Sequence, residues 1–142
     1  MNTLSFPVLQ KRAASSASTA GILKACREGK FPLEIDASEG AFTAVLMSLI
    51  YQVRPGTYLA VVSSDTEAGA LGRDLETAGV PAVLFPWWGT MPYREISPLS
   101  AVFGERSAAL SSLAAGEQGV FIVPQRAFLT PLPPPDYLRS LL

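Results

Sequence analysis

Two stretches of this sequence carry residue types that could do chemistry. The first, Asp36-Ala37-Ser38-Glu39-Gly40-Ala41-Phe42, lies between a short apolar run, Leu33-Glu34-Ile35, and an amphipathic segment. A small-residue turn between strand and helix is the setting of a phosphate-binding loop, because the free N–H groups and dipole of a helix N-terminus favour an anion. Such a loop also needs glycines for close backbone approach, a lysine for the terminal phosphates and a hydroxyl for magnesium. Counted from Gly40, the lysine position holds Ala41, the hydroxyl position Phe42 and the first glycine position Ile35. Asp36 and Glu39 add negative charge where a triphosphate would sit. Each lost contact is a charge-assisted bond worth roughly 2 kcal/mol, so the loop is expected to bind no ATP and to take no cofactor. Its residues then make a capped strand-to-helix turn, with Ser38 as N-cap and Glu39 favoured by the dipole. Thr43 supplies a displaced hydroxyl, but no lysine nearby replaces the missing one.

The second stretch is Phe85-Pro86-Trp87-Trp88-Gly89-Thr90-Met91-Pro92-Tyr93-Arg94-Glu95-Ile96-Ser97-Pro98, followed by Phe103-Gly104-Glu105-Arg106 and Leu110. Aromatic and proline residues after a strand either pack into the core or form a rigid ledge for a ligand or another domain. Exposed Trp and Tyr would favour the ledge.

Other chemistries are excluded by composition. Histidine is absent and Cys26 is the one cysteine. That removes Ser-His and Cys-His nucleophiles, histidine metal sites and a structural zinc. Cys26 reads as a small packing residue in a helix, and its isolation fits a reducing cytoplasm. The formal net charge is −1 and the basic residues are scattered, so no nucleic-acid face is expected. At 49% hydrophobic and 16% charged residues the chain is apolar. Its richest stretch, Ala41 to Tyr51, is nevertheless only about half of the ~20 residues needed to span a bilayer. The start, Met1 to Gln10, lacks the basic and long apolar regions of a secretory signal.

The elements that must position these stretches follow from periodicity. Two short helices are expected at Pro7–Ala14 and Thr19–Glu28, with the serines of 15–18 capping the second and Gly29 ending it. Leu33–Ile35 is expected as a first strand. Phe42, Val45, Leu46, Leu49 and Ile50 then recur with the spacing of one helix face, stopped by Pro55-Gly56. Tyr58–Val62 is a strand, and Ser64 or Asp65 caps a helix that buries Ala68, Leu71, Leu75 and Ala78 before Gly79. Ala82–Phe85 and Gly119–Val123 are further strands, with a helix around Glu105–Ala115 between them. Short, nearly unbroken apolar strands alternating with amphipathic helices predict an α/β domain: a parallel sheet with helices on both faces. Residues 1–30 form a helical segment, 31–132 the α/β domain, and 133–142 a proline-rich exit toward a further subdomain.

The aromatic stretch resembles the N-terminal module of transcription-repair coupling factors, which is related to the excision-repair helicase UvrB. The family pattern FP-x-W-E-T-L-P-Y-D, then S-P, then E-R and a leucine, is matched by Phe85, Pro86, Trp88, Thr90, Pro92, Tyr93, Ser97, Pro98, Glu105, Arg106 and Leu110. Gly89 and Arg94 stand where that pattern is acidic. A second match runs Ile122-Val123-Pro124-Gln125-Arg126-Ala127 and Leu132-Pro133-Pro134-Pro135. The resemblance implies a RecA-like domain with a degenerate nucleotide loop, no metal and no catalysis in this chain. It further implies a scaffold for recruiting UvrA and for autoinhibitory packing within an ATP-dependent DNA translocase that displaces stalled RNA polymerase. The main UvrA surface would lie in a subdomain after Tyr137, and the UvrB damage-probing hairpin is expected to be absent. Trp87, Trp88, Tyr93 and Arg94 are the expected contact ledge, with Arg106 bracing the loop through a carboxylate. No contact with membrane or nucleic acid is expected from this segment. The alternatives are a nucleotide-binding fragment of a UvrB-like helicase and a stand-alone flavodoxin-like binding domain.

Overall fold

The structure, a computed structural model, describes residues 5–36, 38–89 and 100–140. Its centre is a three-stranded parallel sheet made of β1 (Thr57–Val62), β2 (Ala82–Leu84) and β3 (Gly119–Pro124), ordered β1-β3-β2. Thr57 to Val62 pair in register with Gly119 to Pro124, and Ala82 to Leu84 with Val120 to Ile122. The Phe85 N–H donates to the Ile122 carbonyl at 2.9 Å and carries the β2 ladder one residue further. All six residues of β3 are buried, as the central strand of a covered parallel sheet requires.

Helices lie on both faces. Helix α3 (Ala41–Val53) and α4 (Asp65–Thr77) cover one of them. There Ala44, Leu71, Leu75, Val120 and Ile122 form the largest core cluster, joined by Tyr58, Ala60 and Val62 of β1. Fully burying an aliphatic side chain such as Leu75 or Ile122 contributes roughly 1.5–3 kcal/mol. Gly72 lets α4 lie close to the sheet, since a Cβ there would meet Leu84 Cδ2 at 3.4 Å and Ile122 Cδ1 at 3.6 Å. On the other face α5 (Ser100–Ala114) and α6 (Gln125–Phe128) pack around Phe85, Ala109, Val123 and Ala127. The short helix α7 (Pro135–Arg139) lies against α5.

Helices α1 (Phe6–Ala14) and α2 (Ala17–Arg27) sit on the far side of α3, where Leu23 packs with Val45 and Leu49. Gln10 Nε2 donates to Ser48 Oγ at 2.9 Å, tying α1 to α3. Ser16 caps α2 by accepting from the Thr19 N–H, and Ser64 caps α4 by accepting from the Glu67 N–H. Gly29 (φ 68°) and Gly79 (φ 75°) follow the ends of α2 and α4 in the left-handed conformation. Lys30 N–H bonding Ala25 O and Val80 N–H bonding Leu75 O close each end as a Schellman turn.

Two expectations fail. Leu33-Glu34-Ile35 forms no strand, so the sheet among the described residues has three strands rather than four. Pro32 has no N–H to give a ladder, and Leu33 and Glu34 are exposed, so little burial would reward pairing so short a run. Ser38 is also not the N-cap of α3. Gly40 takes that place at φ 56°, ψ −139°, without a side-chain cap.

Candidate functional site

The turn into α3 has a local bonding pattern of its own. Thr43 Oγ1 donates to the Ser38 carbonyl at 2.9 Å, and the Ser38 and Thr43 hydroxyls lie 3.3 Å apart. Thr43, in the first turn of α3, thus folds the segment back and commits its displaced hydroxyl to the turn itself. Asp36, Glu39, Gly40, Ala41 and Phe42 are all exposed, and Ser38 is half-buried. With no strand leading into it and no lysine at its apex, this turn offers an anion only the backbone of a helix start flanked by two carboxylates. The nearby depression between Gly40, Thr43, Glu67 and Asp74 holds about 90 Å³ and is walled by further acid.

The aromatic stretch is more informative where it is described. Tyr93 and Arg94, two of the expected contact residues, lie outside the described residues. Trp87 and Trp88 are both half-buried, directly after the β2 edge of the sheet. Trp87 packs on the cluster around Phe85 and Val123 and carries the exposed Arg126 guanidinium 5.4 Å over its ring. Trp88 turns the other way, toward α5, with Phe103 at 6.1 Å between ring centroids.

Arg106 is the centre of this arrangement. It projects from α5 between two rings, 3.9 Å from the Phe85 centroid and 4.2 Å from that of Trp88, and is only 2% exposed. Its Nη1 donates to the Pro86 carbonyl at 2.6 Å. Its Nε and Nη2 are buried with no hydrogen-bond partner, and no carboxylate pairs with it among the described residues. Arg106 does hold the start of the aromatic segment, through a carbonyl and two rings. Burial pushes the guanidinium below its ordinary pKa, since the charge is removed from water. It nevertheless remains charged at neutral pH. Stacking between two rings offsets part of that cost, at roughly 2 kcal/mol for a desolvated cation–π contact.

Beside Arg106 opens a cavity of about 350 Å³ between α5 and the segment entering α7, walled by Trp88, Phe103, Leu110, Leu132 and Tyr137. A second, apolar cleft of about 180 Å³ lies under Phe128 and Leu132 and reaches Leu59 of β1. Phe103, Leu132 and Leu59 were not among the contact residues expected from sequence. Phe103 and Leu110 share a heptad-like spacing on α5, but their facing of Trp88 depends on a crossover that no local pattern encodes.

Over 81 residues the chain is 36% identical to the transcription-repair-coupling factor of Haemophilus influenzae. The match covers 56% of this chain and 7% of that protein, so the chain spans a small part of its relative's length. No family model matches the sequence, and no solved structure matches it. The likeness supports a relationship to proteins of transcription-coupled DNA repair. Among the described residues no helix is long and apolar enough to cross a membrane.

Proposed function

We propose that this chain is a docking segment of a coupling-factor-like protein, built on a degenerate RecA-like domain that hydrolyses no nucleotide. It packs against the other parts of that protein in a repressed state. Through the completed UvrB-like module it helps to recruit UvrA. Motor and polymerase-displacing activities belong to other regions of such a protein.

The observation that carries this reading is the uncovered apolar face of the sheet at β1. Leu59 is 58% and Val61 48% exposed, and Phe128, Leu129 and Leu132 are exposed with them. Apolar residues gathered on one face of a soluble domain mark a surface that another polypeptide covers. The turn at 36–42 supports the non-hydrolysing part, since neither its side chains nor its lead-in suit a triphosphate.

Two measurements test the two halves. Titration calorimetry with Mg-ATP is expected to give no binding heat, and micromolar binding would favour a nucleotide-binding fragment of a UvrB-like helicase. UvrA capture by the protein in its natural full-length form is expected to fall when Leu59 and Val61 are both changed to Asp. Unchanged capture, with the repressed state also unaltered, would remove this face from the docking role.

A further inference from the structure

Arg106 is buried, charged and bonded by only one of its three nitrogens, beside a cavity. Buried polar groups are satisfied in the great majority of cases, and a buried charge left without a counter-ion is the costly exception. Nothing in the described parts of the chain supplies that counter-ion. Gly89, the residue after Trp88, has open space where a side chain would stand, yet brings none. The cavity is largely apolar, lined by Phe103 and Leu110 of α5 and by Leu132 and Pro133 of the segment before α7, with Ser107 and Ser111 one helical turn apart on α5. A positive charge at one end of an apolar slot is matched by a carboxylate borne on an apolar neighbour.

We propose that this cavity receives an acidic side chain of a partner polypeptide, flanked by aliphatic residues, with Arg106 as the counter-ion. The aliphatic neighbours fill the slot between α5 and the segment before α7. The carboxylate completes the hydrogen bonding of the guanidinium at Nε and Nη2. Both atoms are sealed from solvent, so entry requires a neighbouring side chain to move, and the half-buried Trp88 indole is the ring that both contacts the guanidinium and lines the cavity. Binding is therefore reported by that ring. A phosphate fits less well, because it brings three hydrated oxygens and no apolar body to a slot with little other polar lining. The site deepens the docking role proposed above by naming the chemistry of one contact. It shares Leu110 and Leu132 with the cleft that reaches Leu59, but Arg106 and Ser111 lie outside that cleft and Leu59 and Val61 outside this cavity, so substitutions at those residues test the two separately.

The test uses the 142-residue chain carrying Trp87→Phe, so that tryptophan emission reports Trp88 alone. An acetylated Leu-Glu-Leu amide is titrated against it, with the Leu-Gln-Leu amide and inorganic phosphate as comparisons. The acidic peptide is expected to shift the emission saturably, and the glutamine peptide to bind about thirtyfold more weakly or worse. Arg106→Gln should remove the response. Because that change can disturb folding, Ser111→Phe serves as a second variant: it starts from an exposed position, fills the slot and leaves Arg106 in place. It is expected to abolish binding with an unchanged circular dichroism spectrum. Equal binding of the two peptides would reduce the site to an apolar groove and overturn the proposal. A preference for phosphate, no saturable response, or full binding by the Ser111→Phe variant would overturn it as well.

Discussion

At the scale of single residues, polar groups hold the ends of elements, and Glu67 is the clearest case. Its carboxylate accepts from the Ser63 hydroxyl at 2.6 Å and the Ser63 N–H at 2.9 Å, while its own N–H donates to Ser64 Oγ at 3.2 Å. This is a capping box in which the acid reaches one residue beyond the cap. Both Ser63 bonds favour the charged form, the hydroxyl more than the amide, and outweigh a small opposing effect of burial, so the pKa lies below the usual carboxylate range. A depressed pKa contributes stability that is present above the unfolded-state value and lost as pH falls through the folded one. Glu67→Gln should therefore lower the urea midpoint near neutrality, and the gap to the parent should close in acid below the carboxylate range. A gap of constant size at all pH values would show that the charge contributes nothing. The sequence left Ser64 and Asp65 both open as the cap, and the structure gives that place to Ser64. The burial of Arg106 was not legible in sequence. Its place between Phe85 and Trp88 joins residues about twenty positions apart, and only the packing of α5 on β2 brings them together.

At the scale of elements, the start of β3 is the point where the three strands are pinned together. Gly119 N–H donates to Gly56 O at 3.1 Å, and Val120 N–H to Pro81 O at 2.8 Å. A Cβ on Gly119 would lie 2.9 Å from the Pro81 carbonyl oxygen and 3.2 Å from Pro81 Cβ. Backbone cannot rotate out of the way as a flexible side chain can. Gly119→Ala should thus destabilise the domain by about 1–3 kcal/mol through overpacking. Gly104→Ala, on a helix with nothing within 4 Å of the added methyl, should be neutral or stabilising. Denaturant melts of the two variants check this, and equal midpoints would show that the β3 start yields at no cost. The helices α3 and α4 and the strands β1 to β3 were readable because each carries its own periodicity or apolar run. The failed strand at Leu33–Ile35 shows the limit of such reading. Strand formation needs a partner and burial, and neither is a property of three residues.

At the scale of the whole molecule, the two sides of the sheet are unequally covered. Helices α3 and α4 bury the side that carries Tyr58, Ala60 and Val62. The opposite side is closed over β2 and β3 by α5 and α6, while the outward residues of β1 stay in solvent. The alternating burial along β1 is the pattern of a half-covered strand, whereas its composition, Tyr58-Leu59-Ala60-Val61-Val62, is that of a strand covered on both sides. Composition foretold the parallel sheet correctly, and the mismatch falls on the face proposed above as the docking surface. β1 is also an edge strand in the described sheet, so its outer backbone groups and its apolar face are presented together. The isolated chain should accordingly self-associate as its concentration rises. Leu59→Lys with Val61→Lys should reduce that association and leave the fold intact, because both side chains point away from the main core. Sedimentation equilibrium over a wide concentration range decides the matter. A mass that stays monomeric throughout for the parent chain would mean that the β1 face is tolerated by water, and the docking role would then have to rest on the cavity beside Arg106 alone.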